Sequence, residues 1–323
     1  MPAGNIITID LGATKILSAL INSKNRIMHR VKLPTQSDMG KAFVIKNIIE
    51  SIDQIKIMGK LEDKDIKAIC LGVPGIVNPH TGIIRLAPNL GIKKFDIKNE
   101  LKKYTSIPVF VENDVNLAGL GIKKYEMKDK VKNMAVVFVG TGIGGALFFE
   151  GKIYRGSTFY AGEIGHMKVS PNGEFSAGVL ETTLEKTASR LAIVSAIRKD
   201  LKKKKKSSLK NYSSHKKIIK SKLLQSALKN GDPVVTRHVK NASDAVGAVL
   251  GSLTTLLNLD TIVLGGGVIE AMAPFMMPRI KASFKKAVLK GMDKGVKIFA
   301  TKLGDDAPLY GGISLAEEFL GGK

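Results

Sequence analysis

The sequence has no tryptophan, a single cysteine and no apolar run near the roughly 20 residues that cross a bilayer. With one thiol, Cys70 in the run Ala68-Ile69-Cys70-Leu71, it forms no internal disulfide and no cysteine-based zinc site. The first residues, Met1-Pro2-Ala3-Gly4-Asn5, lack the basic start and the cleavage site of a secretory leader. These absences predict a soluble, cytoplasmic protein with no membrane partner. Acidic residues are scarce too, 28 Asp and Glu against 51 Lys and Arg, for a net charge of +23. A surplus of that size raises nucleic acid as a partner. Much of it is local, however: Arg198 to Lys222 holds twelve basic residues and one acid, with Lys202 to Lys206 consecutive. Like charges at that density repel one another and few large apolar residues accompany them, so the insertion at about 198–222 is expected to be a mobile surface loop or frayed helix. An RNA- or DNA-binding arm is the alternative. Only Tyr212 supplies an interleaved aromatic and no recognition motif is matched, so no nucleic acid is expected.

What is present suits a globular protein. A chain of 323 residues, 44% of them hydrophobic, buries two cores of ordinary size. Strand, glycine turn, strand describes Asn5 to Asp10, Leu11-Gly12-Ala13-Thr14-Lys15 and Ile16 to Ile21. The same plan returns with Met134 to Val139, Gly140-Thr141-Gly142-Ile143-Gly144-Gly145 and Ala146 to Phe149. A shift of 130 lays Gly12 on Gly142 and Leu17 on Leu147, which suggests a duplicated architecture with a cleft between the halves. Helices are expected around Lys41 to Met58, after Asp114, from Leu180 to Ile197, from Pro233 to Leu257 and from Tyr310 to Phe319. Strands are expected at Ile66 to Gly72, Val109 to Val111 and Thr261 to Leu264. The alternation predicts an α/β class.

Gly140-x-Gly142-x-x-Gly145 matches the dinucleotide fingerprint in letters, but that fingerprint needs a helix after it, and here both flanks read as strands. A glycine-rich hairpin tip still offers backbone N–H groups to a phosphate; a plain tight turn is the alternative. Asp10-x-Gly12-x-Thr14-Lys15 is weak alone, yet as a mirrored tip it supplies what phosphoryl transfer needs: Asp10 for Mg²⁺, Thr14 and backbone amides for phosphate, Lys15 for charge. Gly265-Gly266-Gly267 closes a strand and permits close approach of a ring or ribose, or is only a strand-to-helix turn. Glu112-Asn113-Asp114 ends an apolar strand, the edge where open α/β sheets bind ligands. A carboxylate there accepts a proton from an attacking hydroxyl; an ordinary helix cap is the other reading, and both hold together.

Taken together, these residues resemble the repressor/open-reading-frame/kinase (ROK) family over nearly the whole chain. The resemblance implies a duplicated actin/hexokinase-type (ribonuclease H-like) fold in two domains, 1–117 plus 308–323 and 118–307. It implies ATP-dependent phosphorylation of a hexose, glucose by preference, with Asp114 as base and Mg²⁺ near Asp10. Gly12, Thr14, Lys15, Gly140, Thr141, Gly142, Gly144, Gly265, Gly266 and Gly267 would bind the nucleotide. Asn89 in Ala87-Pro88-Asn89, with Asn113, Asp114, Glu163 and His166 in Ala161-Gly162-Glu163-Ile164-Gly165-His166-Met167, and Glu181, would bind the sugar. Relatives are usually homodimers or homotetramers. The family usually places three cysteines after that His to complete a zinc site; Met167 to Leu180 has none, so no structural zinc is expected and His166 is left to hydrogen-bond. A buried His satisfied by a carbonyl is the alternative. Kinases for N-acetylmannosamine, N-acetylglucosamine or fructose share the scaffold. A sugar-sensing repressor or a non-catalytic sugar binder are the rivals from other classes; only nine residues precede Asp10, too few for a DNA-binding domain ahead of it.

Overall fold

The computed structural model describes residues 4–169, 182–214 and 217–321. In chain order it opens with β1 (Asn5–Leu11), β2 (Lys15–Ile21), β3 (Ile27–Pro34), α1 (Lys41–Gly59), β4 (Ile66–Val73), β5 (Ile76–Asn78), β6 (Ile83–Ala87) and β7 (Ile92–Asp96). A short α2 (Ile97–Leu101), β8 (Val109–Asn113) and α3 (Asp114–Gly121) follow. Next come β9 (Met134–Val139), β10 (Ile143–Phe149), β11 (Lys152–Tyr154), the paired two-residue strands β12 (Lys168–Val169) and β13 (Thr182–Thr183), and the helices α4 (Leu184–Ala188), α5 (Arg190–Lys202), α6 (Ser221–Lys229) and α7 (Pro233–Leu257). β14 (Thr261–Gly265), α8 (Gly267–Ala287), β15 (Lys297–Ala300) and α9 (Asp306–Leu320) complete the chain.

The chain forms two compact units, one of residues 1–130, 153–161 and 305–323, the other of 131–152 and 162–304. These bounds differ from the expected 117 and 308. α3 and the turn after it pack on α9, which holds the chain through Lys130 in the first unit.

Each unit is built on a five-stranded sheet of one topology, β3-β2-β1-β4-β8 in the first and β11-β10-β9-β14-β15 in the second, the edge strand β11 straddling the boundary after Lys152. In each, an antiparallel hairpin leads into two parallel strands. The central strands read as continuous apolar runs because both faces are covered. The first core gathers Ile7, Ile9 and Leu71 with the α1 stripe Val44, Ile48, Ile52 and Ile55, spaced at the helical period. The second gathers Ala135, Val137, Leu264 and the inner faces of α7 and α8. Asp232 caps α7, its Oδ1 accepting from the Val234 and Val235 amides at 3.0 Å each, with Pro233 at the first helical position where its missing N–H costs nothing.

The duplication is real, but its register differs from the shift of 130. The closing pairs of the two hairpins are Leu11–Ile16 and Val139–Ile143, an offset of 128 on one strand and 127 on the other. Asp10, opposite Gly72 on β4, therefore corresponds to Phe138, opposite Gly265 on β14. Gly12 corresponds to Gly140.

The described part of the insertion, 198–214 and 217–222, is not the mobile loop or frayed helix its charge predicts. Leu209 and Ile219 are buried in the core of the second unit. Ser207 and Ser208 hydroxyls each donate to Asp232 Oδ2 at 2.7 Å, and Arg198 donates to the Lys217 carbonyl at 2.7 Å. The buried Asp200 accepts from Lys205, Arg237 and His238. Lys202 to Lys206 remain exposed, but two apolar anchors and two acids hold the segment they ride on. No described helix is long and apolar enough to cross a membrane.

Candidate functional site

Three parallel strands of the first unit deliver their carboxyl ends to one edge. There Asp10 on β1 lies beside Gly72 on β4, and Gly72 beside Glu112 on β8. A side chain at 72 would meet Leu117 at 2.9 Å and the Asp114 Cα at 3.4 Å, so glycine is what lets the first turn of α3 settle there. Burial, then the neighbouring carboxylates of Asp114 and Asp305, push the Asp10 pKa up to about 7, with Lys15 pulling the other way. Lys15 itself is engaged by Asp305, at 2.5 Å.

Asp114 opens α3, and its Oδ1 accepts from the Val115 amide at 2.9 Å. Asn113 is the cap: its Oδ1 accepts from the Val115 and Asn116 amides at 2.9 and 3.0 Å, while its Nδ2 donates to the Gly75 carbonyl at 3.0 Å. The acceptor of Asn113 is thus committed to the backbone, leaving its second amide hydrogen for a ligand. Glu112 points the other way. It is buried, accepts from the Asn113 amide and from Asn116 Nδ2, and takes Arg155 Nε at 2.7 Å. Arg155 also forks onto Glu318 at 2.8 Å through each terminal nitrogen. This ion network fixes the strand end that carries Asn113 and Asp114.

At the first hairpin tip, the Gly12 amide donates to the Lys15 carbonyl at 2.9 Å. Thr35 Oγ1 donates to the Gly12 carbonyl at 2.6 Å and Ser37 Oγ to that of Ala13 at 3.1 Å. Thr14 is exposed there. Asn89 is exposed in the 3-10 turn Pro88–Leu90 between β6 and β7.

The second unit holds the other residues. Gly140, Thr141 and Gly142 form the turn, whereas Gly144 lies in β10 opposite Phe138. Glu185 Oε2 accepts from the Ile143 amide at 2.7 Å, and a side chain on Gly142 would come within 2.3 Å of that oxygen. Glu163 sits nearby: burial raises its pKa, the His166 charge lowers it, and the Glu185 charge raises it. His166 Nε2 lies 3.8 Å from Glu163 Oε2, beyond a hydrogen bond, and its side chain is 71% exposed, so the buried-His alternative fails. Gly265 ends β14 with the Phe138 ring against it; Gly266, at φ 84°, and Gly267 start α8.

Glu181 and the stretch 170–180, on which the zinc expectation rests, lie outside the described residues. Among the described residues, no group of three or more His, Cys, Asp or Glu is arranged for a metal ion. Asp305, Arg155, Glu185 and Arg190 escaped sequence reasoning. Each reaches its partner from a distant segment, and no local spacing signals that.

The ROK family model matches residues 6–319. The glucokinase of Halalkalibacterium halodurans is 32% identical over 97% of this chain and 94% of its own length. The xylose repressor of Caldicellulosiruptor bescii is 24% identical, over 97% of this chain and 78% of its own. Among solved structures, the ROK family glucokinase from Streptomyces griseus in complex with glucose and AMPPNP superposes with a TM-score of 0.81, at 25% identity, over 98% of this chain and all of that one.

Proposed function

The chain belongs to the ROK family and has its actin/hexokinase-type fold, and from that premise we propose that it is a sugar kinase that transfers the γ-phosphoryl group of ATP to a hexose hydroxyl, glucose by preference. The observation that carries the reading is the pair of interacting carboxylates, Asp10 at the end of β1 and Asp114 just after β8, at the carboxyl ends of the two parallel strands that flank β4. Phosphoryl transfer asks little covalent chemistry of a protein and much positioning and charge, which suits this pair.

In the proposed division of labour, Asp114 accepts the proton of the attacking sugar hydroxyl. Its place on the first turn of α3 is set by the Asn113 cap and, behind it, by Glu112 and Arg155. The remaining Asn113 amide hydrogen and Asn89 orient the sugar, with Glu163, His166 and Glu181 as further contacts. Backbone amides of the Gly140-Thr141-Gly142 turn and the start of α8 hold the nucleotide.

Magnesium needs only one or two protein carboxylates when phosphate oxygens complete its shell, so it does not require the three-acid cluster that the described residues lack. The crowded, uncomfortable carboxylate of Asp10 fits that role. Magnesium bound there would neutralise charge on the phosphate oxygens.

The test is ADP release from ATP across glucose, fructose, mannose, N-acetylglucosamine and N-acetylmannosamine, with metal analysis of the purified protein. Turnover highest with glucose is expected. Turnover higher with an acetamido sugar moves the assignment within the family; turnover with none of them sinks it. The likeness to a xylose repressor supports a second reading, a sugar-responsive regulator, which the same absence of turnover, together with sugar binding, would favour.

A further inference from the structure

At the glycine turn of the second unit stands an arginine that belongs to none of the motifs. Arg190 opens α5 directly after the cap Ser189, whose Oγ accepts from the Ala192 amide at 3.2 Å. Its own amide donates to the Gly140 carbonyl at 2.9 Å. One guanidinium nitrogen, Nη2, donates to Thr141 Oγ1 at 2.7 Å, and the other, Nη1, makes a long 3.5 Å contact to the Ile219 carbonyl. Backbone and side chain thus bind two successive residues of one three-residue turn.

The opposite flank of that turn carries an acid. Glu185 closes on Gly142 and the Ile143 amide, so an anionic triphosphate brought to the turn meets a carboxylate. A guanidinium on the other side offsets that repulsion, and its planar fork orients Thr141. Ile219, near the downstream end of the basic insertion, is buried. Ser221, which opens α6 two residues later, is the nearest side chain to Gly267, its Oγ 4.0 Å from where a Cβ would stand. The insertion therefore touches Arg190, which holds the Thr141 turn, and comes near the start of α8, the two features assigned to the nucleotide.

We propose that Arg190 is a nucleotide-positioning residue that fixes Thr141 and sets a positive charge at the turn, and that the end of the basic insertion, Ile219 to Ser221, is part of the nucleotide side of the site. This rests on the reading of the turn as the triphosphate site. A purely structural Arg190 would only fasten α5 to the hairpin.

Calorimetric titration of the full chain with ADP and AMPPNP, beside KM for ATP and for glucose, separates the two. Arg190→Ala is expected to weaken nucleotide binding and raise KM for ATP by on the order of tenfold, with KM for glucose unchanged. Arg190→Lys recovers part of the loss by retaining the charge. Arg190→Gln, which keeps an amide donor for Thr141 without the charge, serves if the alanine variant does not fold, and is expected to bind nucleotide weakly as well. Nucleotide binding at the wild-type level in the alanine or glutamine variant overturns the proposal. So does an equal rise in both KM values, or a lysine variant no better than alanine. A wild-type protein that binds neither nucleotide nor turns over any sugar defeats the proposed function first, and this inference with it.

Discussion

Asp10 is an acid in a place that disfavours its charge. Burial and the adjacent acids hold its pKa near 7, far above the 3.8 of a solvated aspartate. For a raised acid the sign is unfavourable. The native state is unpenalised below about pH 4, loses stability as the pH climbs toward 7, and carries the full cost above it. Asp10→Asn should therefore melt higher than the parent at pH 8, by about 1–3 kcal/mol in ligand-free denaturant titrations, while losing its activity. A variant that is both inactive and less stable would contradict the electrostatic account. Asp114 makes the complementary case. If it takes the hydroxyl proton, Asp114→Asn should cut kcat by about 10²–10⁴ and leave KM for the sugar within a few-fold, since the amide keeps the shape of the cap region. Steady-state kinetics decide, and near-normal turnover would remove Asp114 as the base. At this scale the motif residues were legible in sequence: Asp10, Gly140 and Asp114 announce themselves by their position after apolar strands. The network behind Asp114 was not. Glu112 looked like part of the chemical motif, yet it is buried against Arg155, a partner 43 residues away whose pairing only the fold reveals.

Elements show where charge patterns mislead. Asp63 ties three segments together: it pairs with Lys56 near the end of α1 at 2.5 Å and accepts from Thr105 and Ser106 ahead of β8. Those partners hold its pKa down at about 2. A depressed acid contributes fully above about pH 4, and the contribution drains away as the pH falls toward 2. Asp63→Asn should accordingly cost roughly 1–2 kcal/mol at pH 7, after allowance for its partial exposure, and almost nothing at pH 2. Urea melts at the two pH values provide the check. In the insertion, the run of lysines dominated the sequence signal, and the isolated Leu209 and Ile219 carried too little pattern to outweigh it. Burial of those two decides the outcome. Leu209→Ala should destabilise the protein by about 2–4 kcal/mol, whereas a solvated loop would tolerate it without a measurable change in thermal melting. α8 went unread for another reason. Pro274 and Pro278 look like helix breakers, and the helix accommodates them with a kink at Met272. The expected helix over Leu180 to Ile197 is instead broken at Ser189, extended at ψ 162°, because that residue caps α5. α7 matched its expected limits, Pro233 and Leu257, since an Asp-Pro start fixes one end and an Asn in the left-handed region the other.

Across the whole molecule, the repeat is a repeat of topology more than of letters. Aligning glycines suggested an offset of 130, while the paired strands give 127 and 128, because the second turn is one residue tighter. The correction changes what the duplication means. The position that holds Asp10 in one unit holds Phe138 in the other, stacked on Gly265 where Asp10 stands over against Gly72. One copy of the plan keeps an acid at its strand end and the other a ring, so the two are not interchangeable in chemistry. The closing helix adds a constraint of a different kind. α9, the last helix of the chain, lies on α3, β1 and β4 of the unit that the first residues began. During synthesis, that sheet waits for its cover until α9 has been made, by which time the other unit already has all of its own strands. The half that carries the two acids is thus completed after the other, and losing α9 would strip the cover from that half first.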